Sequence, residues 1–82
     1  MKIQVKSLTV QSASAVFQAV DRAIAAGDLR LDFSEVQHVD SVALAVVLHA
    51  RRQAGGRPLQ LEGLPAQFSG LVSAYGVQSL FE

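Results

Sequence analysis

Cysteine is absent from this chain of 82 residues, and with it go disulfides, thiolate metal sites and a cysteine nucleophile. Tryptophan is absent too, and the aromatic residues amount to four Phe and one Tyr. The core must therefore be aliphatic, built from Val, Leu, Ile and Ala. Neither sign of charge is in excess, since seven basic residues balance seven acidic ones. That balance argues against nucleic acid or an anionic membrane as a direct partner, because both call for a basic patch. Long hydrophobic runs are missing as well: the longest, Val42 to Leu48, has seven residues, against the ~20 that span a bilayer. Met1 to Val10 alternates polar and apolar residues and lacks the apolar centre of a signal peptide. A soluble, cytoplasmic protein with no direct membrane insertion is the expectation.

What is present has the periodicity of one small α/β domain. Ile3 and Val5 alternate with Lys2, Gln4 and Lys6, which predicts a half-buried strand near a sheet edge. Ser12 or Ser14 can cap a helix to about Ala26, whose stripe is Val16, Ala19, Val20, Ala23 and Ile24; Gly27 ends it. Leu29 to Phe33 reads as the second strand, Ser34 to His38 as a polar connection, and Val42 to about Ala54 as the second helix. Pro58 to Glu62 is a third strand with proline at its first position. A helix from Ala66 to Tyr75 follows, with Phe68, Leu71 and Val72 on its apolar face, and Val77 to Phe81 closes the chain as a short strand. The alternation β-α-β-α-β-α-β implies a mostly parallel sheet with right-handed crossovers.

Catalytic and metal chemistry finds little footing. Gly55-Gly56 follows a helix and precedes a strand, the wrong side for a phosphate cradle. His38 and His49 have no His or Cys companions to complete a metal site. Asp32, Glu35 and Asp40 lack a third group or basic partner to tune them for acid–base work. Ser41 lacks the G-x-S-x-G elbow of a serine nucleophile. No catalytic residue, metal ligand or cofactor is assigned. A small hydrolase using Asp32, Asp40 or His38 would need a pocket that gathers those groups.

The informative stretch is Asp40-Ser41 followed by the seven apolar residues Val42 to Leu48. Ser41 is placed as an N-cap whose hydroxyl accepts from a free N–H of the first turn. Seven consecutive apolar residues cover almost two helical turns and point in every direction. A helix lying on a sheet needs only one apolar stripe. Two readings stand side by side: a docking surface rimmed by Ser41, or a central helix covered on both flanks by its neighbours. Phosphate on Ser41 would meet free N–H groups at the positive end of a helix.

Leu31-Asp32-Phe33-Ser34-Glu35-Val36, then Val39 to Ala45, then Leu59 to Pro65, together resemble the STAS domain family over most of the chain. The resemblance implies a STAS-like single domain spanning residues 1–82. Its fold would be a small, mostly parallel or mixed sheet of about four strands with three helices. Two branches are similar to this segment. In the anti-sigma factor antagonists, the hydroxyl residue at the place of Ser41 is phosphorylated by a partner kinase that is also the anti-sigma factor. A small residue usually follows it, whereas this chain has the β-branched Val42. In the MlaB-type subunit of the bacterial phospholipid ABC transporter, the ending Leu44-Ala45-Val46-Val47-Leu48-His49 is closely matched.

The transporter branch implies a non-enzymatic adaptor or regulatory subunit that binds the ATPase of a phospholipid-transporting system. Asp40, Ser41, Val42, Leu44 and Ala45 would form the contact, holding the protein at the inner membrane through its partner. The alternative is an antagonist switched by phosphorylation of Ser41. Unlike the family pattern, the chain has residues for one strand, not a hairpin, before the first helix. The family's N-terminal strand is expected to be missing or short, leaving a sheet edge open to a second copy in a homodimer.

Overall fold

The computed structural model describes residues 1–76; the strand expected at Val77 to Phe81 lies outside the described residues. In chain order the elements are β1 (Ser7–Leu8), α1 (Ala13–Ala25), β2 (Arg30–Asp32), β3 (His38–Val39), α2 (Val42–Ala54), β4 (Gln60–Glu62) and α3 (Ala66–Ala74). This is a small α/β domain with three helices and short parallel strands. The strands form two pairs rather than one continuous sheet: β1 beside β3 and β2 beside β4, both parallel.

Met1 to Val5, expected to be the first strand, makes a single bridge between Lys2 and Asp32. Regular pairing of this segment starts only at Ser7. The reason is a slip in register. Lys2 sits opposite Asp32, thirty residues on, whereas Ser7 sits opposite His38, thirty-one on. The chain from Phe33 to Gln37 thus carries one residue more than the segment beside it. It takes up the excess in a turn closed by Val36 N–H donating to the Phe33 carbonyl at 2.9 Å. An extra residue in one of two paired strands interrupts the ladder in this way. His38, expected to end the polar connection, instead forms β3 with Val39 beyond the slip.

Both long helices form where the apolar spacing places them. Val16, Val20 and Ile24 of α1 are buried at helical intervals of four residues, and α2 spans Val42–Ala54 as expected. Gly55 adopts the left-handed conformation that closes α2, with φ of 60°. The core joins Ile3, Leu8, Leu31 and Phe33 to Val20, Ile24, Val46, Val47, Ala50 and Phe68 of the helices. Helix α2 packs against both α1 and α3. At the α1–α2 contact, His49 Nε2 lies 2.6 Å from Asp21 Oδ1, and the Phe17 and His49 rings meet edge to face at 5.0 Å.

Candidate functional site

The β1–β3 pair brings two strand ends together, each leading into a helix. Leu8 is level with Val39, and the Asp40 N–H continues the pairing to the Leu8 carbonyl at 3.3 Å. On the other side of β3, the Val39 N–H donates to Gln67 Oε1 at 3.2 Å. A side chain from the first turn of α3 thus occupies the place where a further strand would pair.

Asp40, not Ser41, caps α2. Its Oδ1 accepts from the Val42 N–H at 2.8 Å, and its carbonyl accepts from the Ala43 N–H at 3.0 Å. Ser41 already has helical angles, φ −59° and ψ −20°, and its side chain makes no capping hydrogen bond. Its carbonyl accepts from the Leu44 N–H at 3.1 Å, so the helix opens on a tight, 3₁₀-like turn. The expectation of a Ser41 cap is therefore corrected by one position. With a carboxylate one residue earlier able to reach the second helical N–H, the backbone at Ser41 is drawn into the helix. Its hydroxyl is left at an exposed position.

The apolar run divides cleanly. Ala43, Leu44, Val46 and Val47 are buried, Val42 and Leu48 are half-buried, and Ala45 is exposed. Leu44 retains 8% of its accessible surface, so little of it is open to solvent. Helix α2 is flanked by α1 and α3, and the buried residues of the run belong to a core that also holds Ile3, Leu8, Leu31 and Phe33. Ser41, Val42 and Ala45 are left around the first turn, with Asp40 half-buried under them.

The other carboxylates and histidines named in the sequence each have a local setting of their own. Asp32 Oδ1 accepts from the Ser34 N–H at 2.8 Å, Asp40 is held by Val42, and Glu35 is exposed. His38 is on β3 and His49 is tied to Asp21. Among the described residues no group of three or more His, Cys, Asp or Glu side chains is placed to hold a metal ion. Among them, too, no helix is long and apolar enough to cross a membrane.

One feature of this end of the molecule escaped the sequence reading. Val10, two residues past β1, keeps 73% of its surface exposed. In the sequence it continues the alternation after Leu8, and the turn in which it lies is what exposes it.

The family model described as "Mlab, STAS domain" matches residues 5–82. No curated protein matches the chain, and no solved structure does.

Proposed function

The chain belongs to the STAS domain family, by the MlaB-type model, and from that premise we propose that it is an adaptor docking on the ATPase subunit of a phospholipid-transporting ABC system. STAS domains serve in protein–protein contacts and regulation, and the surface around the start of α2 suits that role. Ser41 and Ala45 are exposed and Val42 is half-buried, beside the capping Asp40 and the buried Leu44. The observation that carries this reading is the released Ser41 hydroxyl. Because Asp40 performs the capping, Ser41 is available to a partner without cost to the helix. Bound in this way, the protein would sit at the cytoplasmic face of the inner membrane.

The test is a pull-down with the purified ATPase subunit of the host's lipid transporter. Ser41→Glu puts a carboxylate in the contact, and Ala45→Arg puts a long cation there while keeping good helix propensity. Both should remain folded by circular dichroism and lose at least tenfold in binding. Unchanged capture by both variants would sink the site.

The exposed Ser41 also keeps open an anti-sigma factor antagonist controlled by phosphorylation. Phosphate there would lie at the positive end of α2. That reading requires an added phosphate at Ser41, seen by mass spectrometry after incubation with a cognate kinase and ATP. For a homodimer through the sheet edge, the exposed residues Lys2, Gln4 and Lys6 are informative. Antiparallel pairing of two copies about Gln4 would set Lys2 against Lys6 of the other copy, an unfavourable like-charge pair. We accordingly place the partner at α2.

A further inference from the structure

The segment from Met1 to Val5 is a sheet edge whose outer side is open. Its rung to β2 consists of the Asp32 N–H donating to the Met1 carbonyl at 2.9 Å and the Ile3 N–H donating to the Asp32 carbonyl at 2.8 Å. Backbone groups alternate in direction along an extended chain, so those of Lys2 and Gln4 face away from β2. Among the described residues these outward groups have no hydrogen bond. Between the segment and α1 lies a hollow of about 210 Å³, its lining including Ile3, Val5, Ala15, Val16 and Ala19. Small-molecule sites run to ~300–1,000 Å³, so this hollow suits aliphatic side chains rather than a free ligand. Lys2 and Lys6 are exposed, and neither makes an ion pair among the described residues.

We propose that this edge takes up an extended segment of a partner protein, added as a further strand, in which acidic residues alternate with small aliphatic ones. The inference is independent of what docks at α2. Strand addition draws affinity from main-chain hydrogen bonds and specificity from pockets for alternate side chains. Side chains of an added strand share faces with those of the edge. On the Ile3 and Val5 face they enter the hollow; on the Lys2 face they lie beside the lysines. The charges choose the occupant. An antiparallel second copy would set Lys2 against Lys6, whereas a carboxylate at each place turns repulsion into attraction. The carboxylates nearby, Asp32 and Glu35, belong to the neighbouring segment on the inner side of the edge.

The probe is a fluorescent peptide of about ten residues, alternating valine and glutamate and blocked at both ends, titrated with the full chain at low salt and followed by anisotropy. It should bind at least about tenfold more tightly than the same peptide with lysine for glutamate, and weaken as salt is added. Lys2→Glu combined with Lys6→Glu should reverse that preference, with circular dichroism unchanged because both side chains are exposed. Two further probes carry N-methyl groups on the valines or on the glutamates. One of them should lose binding, since only one set of N–H groups faces the edge. Equal binding of the glutamate and lysine peptides, binding of neither, or unimpaired binding of both N-methylated probes overturns the proposal. A dimer of the chain alone in sedimentation, dissociated by the valine–glutamate peptide, would give the edge to a second copy and overturn it as well.

Discussion

At Asp40 and Ser41, two adjacent polar residues divide the work at the start of one helix. The Asp40 carboxylate satisfies an N–H that would otherwise be left over at the helix terminus. Removing it in Asp40→Ala should cost about 1 kcal/mol in urea or thermal unfolding. Ser41→Ala should alter stability by no more than about 0.5 kcal/mol, since its hydroxyl makes no capping bond. The reverse pattern of losses would show that Ser41 is the cap after all. The Asp-Ser pair was plain in the sequence, but the assignment of roles was not. Both residue types are good caps, and which one serves depends on where the backbone turns as it leaves β3. At Leu44 the same limit applies: periodicity marks it as apolar, and only the presence of neighbours on both flanks decides that it faces inward.

Between elements, a close fit occurs where the turn after β4 meets the turn after β2. Gly63 has a φ of +66°, and a Cβ added there would lie 2.8 Å from the Ser34 nitrogen and 2.9 Å from its Cα. Ser34 cannot retreat easily, because its N–H is bonded to Asp32 Oδ1 and the preceding Phe33 N–H donates to the Glu62 carbonyl at 2.8 Å. Gly63→Ala should therefore lower stability by about 2 kcal/mol and shift the chemical denaturation midpoint. A neutral outcome would mean that the two turns are not pressed together. The helices were legible from spacing and stops, α2 to its end residues. Strand β3 was not, because His38-Val39 is too short to show a period. The split of the sheet was not either, since a register slip depends on counting residues in two segments whose pairing is unknown beforehand.

For the molecule as a whole, acid titration reports on the strand ends. Asp32 is held below the usual carboxylate range, chiefly by the Ser34 N–H and then by the Ser34 hydroxyl. Asp28 is lowered first by the Met1 ammonium, 2.7 Å away, and then by the Arg30 N–H. Both groups hold protons less readily folded than unfolded, so the unfolded chain binds more protons as the pH falls. Their stabilisation is present above the ordinary carboxylate value of about 4 and is lost as the pH drops through the lowered folded values. Tm should fall on acidification below that point, and Asp32→Asn should flatten the acid limb while lowering Tm near neutral pH, where the ionised Asp32 stabilises the parent. An acid limb unaffected by the substitution would remove Asp32 from its cause.

Composition and periodicity alone determined the fold class, the places of the helices and the neutral, aliphatic character of the domain. Those properties are local, written in which residues recur at what interval. Tertiary structure decided the rest: that Asp40 caps and Ser41 is released, and that Leu44 is enclosed while Ala45 is open. Each of these depends on which strand ends adjoin and which helices flank α2. Burial and hydrogen bonding are settled by neighbours in space, and no spacing along the chain names them.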